Sequence, residues 1–439
     1  MASMTTQETP PPSPARGSVK ALPGSVFAPG PGSLESRGWN LAAGDLPLPV
    51  LALRRSAVDH NVGLMARWCR DHDVVLAPHG KTTMMPELFR RQLAAGAWAM
   101  TVATPRQAEA AVQAGAERIL IANQPVDPVE LRRLTAIAGS GHEVYVFADS
   151  VDGVRLLDQA AAENDAAIRV FVELGYEGGR TGVRGDDAFH EVLDAVGGAR
   201  HLELAGVSAF EGSIPAMRRR PSSSSGGVDP DPAPVRRFLA EAGRRIRQAQ
   251  EGGHLMGKPM ITAGGSAWFD LVVEQLRDLA SLLVLRSGCY VTHDHGFYAL
   301  QSPLAAAPAD PADPGEPADA DRLRPALGLW AHVQSTPEPG LAIVGFGRRD
   351  ANDDLGSPRP LNLVRRDASR QPVDGWRVDS MWDQHARLRA SAPAAPAEFH
   401  PGDVIEFGIS HPCTALDKWR SVVEIDDDDA VLAAWETWF

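Results

Sequence analysis

Five short stretches of this chain hold residue types that could do chemistry. In Val75-Leu76-Ala77-Pro78-His79-Gly80-Lys81-Thr82-Thr83-Met84-Met85-Pro86-Glu87-Leu88, an apolar run delivers one lysine to a turn of small residues, and a helix start follows near Pro86. A lysine at the mouth of a strand either keeps its charge in water or is desolvated into an amine nucleophile. Spacing alone favours the solvated side chain. Thr262-Ala263-Gly264-Gly265-Ser266 follows another apolar run. Its glycines let main-chain N–H groups approach an anion, and Ser266 adds a hydroxyl; a plain tight turn is the alternative. Arg286-Ser287-Gly288-Cys289-Tyr290 repeats the arrangement after the next run. Glu173-Leu174-Gly175-Tyr176-Glu177-Gly178-Gly179-Arg180-Thr181-Gly182-Val183 is a strand end entering a glycine-rich loop, where Arg180 reads by itself as a surface arginine. Far downstream, His411-Pro412-Cys413 sits just after a strand-like run. If extended, the segment places both side chains on one face, close enough to chelate one ion. Two ligands alone read more readily as a buried structural pair.

The elements that must position these residues alternate along the chain. Strand-like runs fall at 50–53, 74–77, 98–102, 119–122, 143–148, 168–174, 204–208, 260–262 and 282–285, with Ala-, Leu- and Arg-rich helical segments such as 105–114, 129–138, 151–162 and 188–196 between most of them. Short, nearly all-apolar strands alternating with helices imply parallel strands buried on both faces. One flanking strand plus eight repeats fits an α/β architecture of the (β/α)8-barrel type. A doubly wound sheet is the alternative, but no Gly-x-Gly-x-x-Gly follows the first strand. Two segments interrupt the order. Residues 218–234 form a polar insertion that opens with the Arg218–Arg220 charge run, and 302–322 are low-complexity Pro/Ala/Asp. After about Leu329 the runs at 330–334, 342–345, 404–407 and 421–425 predict a smaller β-rich C-terminal domain.

Composition bounds the function. A length of 439 residues accommodates a barrel plus one further domain, and the 44% hydrophobic content suits a sizeable core. A net charge of -13 argues against nucleic acid and anionic membranes, both of which call for a basic face. Three widely spaced cysteines (Cys69, Cys289, Cys413) are no disulfide framework, so a reducing cytoplasm is expected. No apolar run approaches the ~20 residues of a membrane span. The Pro/Ser/Thr-rich start has no apolar h-region, and residues 1–40 are expected to be loosely attached.

Pro78-His79-Gly80-Lys81-Thr82 followed by Pro86-Glu87 resembles the Schiff-base lysine motif of the D-threonine aldolase and D-serine dehydratase family, pyridoxal phosphate (PLP) enzymes of fold type III with an alanine-racemase type of barrel. The resemblance runs from about Pro49 to Phe439. The blocks Gly345-Phe346-Gly347-Arg348-Arg349-Asp350, Asp383-Gln384-His385 and Asp417-Lys418-Trp419 look most like the bacterial branch called amino acid deaminases. PLP needs an amine, a phosphate cradle, and partners for its phenolic oxygen and pyridine nitrogen. By the resemblance, Lys81 is the catalytic amine. Gly264, Gly265, Ser266, Gly288, Cys289 and Tyr290 belong to the two phosphate-side turns, with Ser287 in place of the family's proline. Arg180 contacts the phenolic oxygen. Arg286 either faces the pyridine nitrogen or makes an ion pair at the barrel rim. Phe210 replaces the tyrosine of the family's Tyr-x-Gly element.

His411 and Cys413 resemble the family's metal pair. Thiolate and imidazole favour Zn²⁺, and family dehydratases carry the cysteine where aldolases carry an aspartate. Asp294, Asp350, Asp383 and His385 are further candidates for substrate contact, each with a stronger reading as a surface or loop-capping group. The expectation is therefore a PLP- and Zn-dependent ammonia-lyase taking a β-hydroxy D-amino acid such as D-serine to a 2-oxo acid and ammonia. The alternatives are a D-threonine aldolase, then a racemase or a PLP-binding protein without catalysis. The expected domains are a PLP barrel over 41–300, a linker over 301–325 and a β-rich metal-binding domain over 326–439. A homodimer is expected by resemblance.

Overall fold

The computed structural model describes residues 34–218, 231–305, 319–365, 369–391 and 398–439. The tail up to residue 33 and most of the two predicted interruptions lie outside these residues.

The chain enters through β1 (Val50–Arg54), which runs without a break into α1 (Arg55–Asp71). Eight parallel strands follow: β2 (Val75–Leu76), β3 (Met100–Val102), β4 (Arg118–Ile121), β5 (Glu143–Ala148), β6 (Ile168–Leu174), β7 (Leu202–Ala209), β8 (Met260–Ala263) and β9 (Leu282–Leu285). Between them lie α2 (Pro86–Ala94), α3 (Pro105–Gln113), α4 (Pro128–Gly139), α5 (Val151–Glu163), α6 (Asp186–Gly198), α7 (Ala233–Glu251) and α8 (Phe269–Leu276). Side-chain parity separates two layers, as a pleated strand requires. Ile119, Ile121, Val144 and Val146 face the helices, while Leu120, Tyr145, Phe147 and Phe171 fill the interior. Thr104, Asp127 and Ser150 start α3, α4 and α5 by accepting from main-chain N–H groups of the first turn.

The strand order β2-β9-β8-β7-β6-β5-β4-β3 closes on itself. Trp98 donates its N–H to Leu76 O at 2.7 Å, Thr101 to Pro78 O at 2.9 Å, and His79 bridges Thr101. The curled sheet is therefore the barrel-like α/β architecture that the alternation predicts. Among the described residues, no helix is long and apolar enough to cross a membrane.

The short helix α9 (Phe297–Gln301) leads to the second, β-rich region. It comprises β10 (Leu327–Glu338), β11 (Leu341–Val344), β12 (Arg359–Val364), β13 (Arg370–Pro372), β14 (Trp376–Met381), β15 (Ala386–Ala390), β16 (Val404–Gly408), β17 (Ser421–Ile425) and β18 (Val431–Glu436). Its central path is β13-β12-β16-β10-β1-β17-β18. The strand expected to flank the barrel thus lies in the other sheet, antiparallel to β10 and parallel to β17. Residues 34–40, expected as part of the loose tail, also dock there. Leu34 is buried and donates its N–H to Leu432 O at 2.6 Å, and Asn40 bridges Ala430. Of the Arg218–Arg220 run, Arg218 stacks on Trp268 and pairs with Asp270 at 2.6 Å, while its two neighbours lie outside the described residues.

One buried carboxylate pins the helices to the second sheet. Glu424 of β17 is fully buried; Arg91 Nη1 of α2 stands 2.6 Å from its Oε1, a pair too bent for a well-aligned hydrogen bond. Arg55 of α1 donates to Oε2 at 3.3 Å, and Trp435 Nε1 at 2.9 Å. Burial raises the pKa of Glu424, but the arginine and tryptophan donors outweigh it and hold the carboxyl below its usual range. A carboxyl depressed in the folded state contributes stability above its unfolded pKa, and loses it as pH falls through the folded value. Removing one partner of a buried pair costs about 3–5 kcal/mol, because the other charge stays behind. Glu424→Gln is expected to lower unfolding free energy by about 3 kcal/mol at neutral pH. The difference from wild type should shrink below pH 4.5, the ordinary carboxyl value. Denaturant titrations across that range check both effects.

Candidate active site

The predicted lysine stands where two elements brace its turn. Lys81 lies on a 3₁₀ turn, Gly80–Thr82, directly after β2. A Cβ on Gly80 would meet Phe89 Cζ of α2 at 2.3 Å, so this turn is pressed flat on the ring. From the other side, Trp438 near the chain's end donates its N–H to Met84 O at 2.7 Å. Lys81 itself is half-buried.

Around it the C-terminal ends of the barrel strands bring together most of the predicted residues. Arg286 after β9 is buried; Nη1 donates to Thr262 Oγ1 at 2.8 Å and Nη2 to Ala209 O at 2.7 Å, with the guanidinium 5.2 Å from the Phe147 ring centre. Burial pulls its pKa down to about 10, so it remains a cation near neutrality. Arg180 lies on the exposed loop after β6 with its guanidinium 4.7 Å from the Phe210 ring centre. The ring that replaces the family's tyrosine therefore serves as a stacking surface. His79 sits half-buried beside these groups, with a buried Nδ1 that no protein group satisfies. Burial, then the charges of Lys81, Arg286 and Arg180, push its pKa well below the usual range. It is a neutral imidazole among three cations.

The two glycine turns already have partners for the main-chain N–H groups that their sequence offers to an anion. Gly264, at φ +85°, and Gly265 point their N–H groups at the buried Glu211 carboxylate, at 3.2 and 2.7 Å. The N–H groups of Gly288 and Cys289 converge on Ser266 Oγ at 3.3 and 3.1 Å. Gly288 is obligatory, since a Cβ there would meet the His79 carbonyl at 2.3 Å. Two main-chain donors aimed at one oxygen, beside three cations, fit a phosphate. The side chain of Tyr290 is not brought to the cluster. The Cys289–Val291 turn sends it outward, and Gln92 Nε2 donates to its hydroxyl at 3.0 Å.

Sequence reasoning assigned no role to His79, Glu211 or Glu173. Glu173 is buried with Oε2 unpartnered; burial raises its pKa against the Thr181 hydrogen bond and the Arg286 charge. All three stood inside quoted stretches, His79 in the lysine motif, Glu173 at the head of the Arg180 loop and Glu211 between Phe210 and Gly212, but none was the residue that its motif marked.

The downstream His-x-Cys segment lands on the same mouth. Cys413 Sγ is 3.3 Å from Thr82 Oγ1, the neighbour of Lys81, and 3.3 Å from Cys289 Sγ. His411 Nδ1 is 2.8 Å from Asp354 Oδ2, and Asn352 Nδ2 donates to His411 O at 3.0 Å and to Thr414 Oγ1 at 2.8 Å. A carboxylate on Nδ1 leaves Nε2 as the atom that can ligate. Thiol and imidazole donors suit a thiophilic ion. Among the described residues, no group of three or more His, Cys, Asp or Glu side chains is gathered so that it could hold one. Of the other candidates, Asp294 accepts from the N–H groups of Gly296, Tyr298 and Ala299 at the start of α9, and burial pushes its pKa up to about 7. Asp350 accepts from Gly347 N–H at 2.9 Å, and Asp383 and His385 lie on the exposed β14–β15 turn.

The close approach of Gly288 generates a test. Gly288→Ala forces the backbone of the lysine turn and of the phosphate-side turn apart, and no side chain can relieve it. Overpacking of this kind costs about 1–3 kcal/mol. Thermal denaturation should show a lowered midpoint; an unchanged midpoint would mean that the two turns do not abut.

Comparison with known proteins agrees with this geometry. Residues 53–267 match the alanine racemase N-terminal domain, and residues 326–425 match a family described as "Putative serine dehydratase domain". The chain is 29% identical over 316 residues to a D-threonine aldolase of an Arthrobacter species, covering 71% of this chain and 74% of that one. It is 31% identical over 172 residues to the D-threo-3-hydroxyaspartate dehydratase of Delftia sp. strain HT23, covering 38% and 44% respectively. The crystal structure of the D-threonine aldolase from Filomicrobium marinum superposes with a TM-score of 0.74 at 26% identity, over 91% of this chain and 97% of that one. Its structural neighbours are fold type III PLP enzymes, and the lyase class and PLP are supported by its relatives. Along this chain a match to the alanine racemase N-terminal domain is thus followed by a match to the serine dehydratase domain, and its relatives include a D-threonine aldolase and a D-threo-3-hydroxyaspartate dehydratase.

Proposed function

We propose that this protein is an ammonia-lyase that eliminates water from a D-amino acid bearing a β-hydroxyl, after which the released enamine takes up a water and gives off ammonia, leaving a 2-oxo acid. The observation that carries the reading is the position of Cys413. A thiol stands against Thr82, one residue from the lysine, where a carboxylate would accompany aldolase chemistry by the family pattern. Bound PLP supplies the electron sink that makes loss of a proton from Cα feasible. His411 and Cys413 would hold a zinc ion, whose contribution is Lewis-acid polarisation of the β-hydroxyl, otherwise a poor leaving group.

The chain's own residues divide the remaining work. Lys81 is the amine that binds the cofactor and, once released, carries the proton at Cα. Arg286 keeps its own proton, so a ring nitrogen facing it stays unprotonated. Gly288 and Cys289 N–H groups hold the phosphate with Ser266, and Arg180 offers a cation over the mouth. Asp354 orients His411 through Nδ1. In this reading two copies of the chain pair in the cytoplasm.

A second reading has its own support, because the D-threonine aldolase and a 3-hydroxy-D-aspartate aldolase of Paracoccus denitrificans are among the relatives that align over more than 70% of this chain. It is retro-aldol cleavage at Cα–Cβ on the same lysine. Products separate the two. Purified holoenzyme is incubated with D-serine, D-threonine and D-threo-3-hydroxyaspartate, and 2-oxo acid, ammonia, glycine and aldehyde are assayed. Ammonia and 2-oxo acid in equal amounts are expected; glycine with aldehyde moves the protein to the aldolases. Lys81→Ala is expected to lose the visible absorbance of the lysine-bound cofactor together with all turnover, by a factor of at least about 10³. If that absorbance survives, Lys81 is not the cofactor lysine.

A further inference from the structure

Cys289 has a backbone task and a side chain that the task does not use. Its N–H meets Ser266 Oγ at 3.1 Å, while its thiol meets Cys413. The two sulfurs stand 3.3 Å apart, and neither is in a disulfide. They arrive from different domains: Cys289 follows β9 of the barrel, and Cys413 follows β16 of the second sheet. Thr82 Oγ1 lies 3.7 Å from Cys289 Sγ and 3.3 Å from Cys413 Sγ, which seats the pair beside the neighbour of Lys81. Their exposure differs. Cys289 is buried, whereas Cys413 is half-buried and keeps some contact with solvent. Cys69, the remaining cysteine, is buried in α1.

Two protonated thiols in contact gain little, since S–H is a weak donor and sulfur a weak acceptor. Their placement matters for reactivity instead. A disulfide holds its sulfurs at ~2.05 Å, so this pair has roughly 1.3 Å to close, shared between two side chains. We propose that Cys289 and Cys413 are an oxidisable pair, which a peroxide converts into a disulfide linking the two domains. The half-buried thiol reacts first and the buried one resolves it, as in a redox-sensing cysteine with a resolving partner. Cys413 sulfur loses its proton and attacks one peroxide oxygen. The O–O bond breaks, leaving a sulfenic acid on Cys413 and one water. Cys289 sulfur then loses its proton and attacks the sulfenic sulfur; the S–S bond forms, the S–O bond breaks, and a second water leaves. Two thiols have given up two electrons and two protons, and one peroxide has become two waters. In a reducing compartment such a disulfide is transient, because cellular thiols undo it. Cys413 is the thiol that the proposed function uses, and, resting on that reading, the cross-linked form is inactive.

Hydrogen peroxide is the probe. Wild-type holoenzyme is treated while folded, with and without EDTA, and its remaining thiols are then alkylated. The unreduced protein is digested for mass spectrometry. A peptide joining Cys289 to Cys413 is expected, and the thiols titratable after unfolding should fall from three per chain to one. Turnover is expected to be lost as the link accumulates and to return with dithiothreitol. Cys289→Ser tells a resolving thiol from an incidental one. Without that partner, Cys413 should climb to the sulfinic acid, which dithiothreitol does not reverse. No link in either wild-type sample, or a link from either cysteine to Cys69, overturns the proposal and leaves the proposed function standing. A complete link with turnover intact refutes the use of Cys413 in that function, and the shut-off falls with it.

Discussion

The placement of β1 is the constraint on which this site depends. The strand precedes the barrel in the chain yet fills the middle of the other sheet, antiparallel to β10 on one edge and parallel to β17 on the other. Its last residue, Arg54, abuts the first residue of α1, so the outer layer of the barrel is covalently continuous with the second sheet. Both edges of β1 are hydrogen-bonded within the second sheet, so the strand anchors the start of α1 to that sheet. The joint is reinforced elsewhere. His295 and Phe297 donate their N–H groups to Ile409 O and Ser410 O at 2.9 and 2.8 Å, stitching the exit of the barrel to the segment that carries His411 and Cys413. A Cβ on Gly296 would strike Ser410 Cα at 2.6 Å, which shows how closely the two backbones approach. The proximity of Cys413 to Thr82 follows from this docking rather than from anything local to either residue.

Within the mouth, burial and charge set the protonation states. Lys81, Arg180 and Arg286 all act on His79, and burial already disfavours its charged form, so the imidazole stays neutral. Burial lowers Arg286 as well, to about 10, and the Glu211 and Glu173 charges oppose that fall, so the guanidinium stays charged. Against these cations the described structure sets Glu173 and Glu211. Glu211 is already committed to Gly264 and Gly265. The balance favours an anionic guest, and phosphate together with a substrate carboxylate meets it.

Much of the barrel was legible in the sequence because buried parallel strands are short unbroken apolar runs. The boundaries of β5, β6 and β9 coincide with the runs at 143–148, 168–174 and 282–285. Strands β12 to β15 and β18 escaped notice. In β15, Arg387 and Arg389 face Asp379 of β14, leaving Ala386 and Leu388 as the only fully buried apolar residues of an otherwise charged strand. Site residues carried by motifs (Lys81, Ser266, Arg286, Cys413) converge in space. The Tyr290 side chain does not, because a 3₁₀ turn fans successive side chains apart, a direction that sequence spacing does not encode. Glu211 meets Gly264 across 53 residues, and only the strand order β7-β8 brings them together.

That adjacency also explains how the chain tolerates phenylalanine where its family carries tyrosine. The end of β7 leads straight into Phe210 and Glu211, so one short segment presents an aromatic face and a carboxylate in succession. Phe210 supports the Arg180 guanidinium by its ring rather than by a hydroxyl, and Glu211 caps the adjoining glycine turn. The loop bearing Arg180 is itself tied down: Gly182 N–H donates to Asp149 at 2.9 Å and Tyr176 OH to Ser213 O at 2.9 Å. An exposed arginine held on an aromatic platform above a buried polar cluster is a fixed positive charge at the entrance. A substrate carboxylate would meet that charge on approach, and the field of a concave, cationic mouth draws in anions over the net negative charge of the rest of the chain.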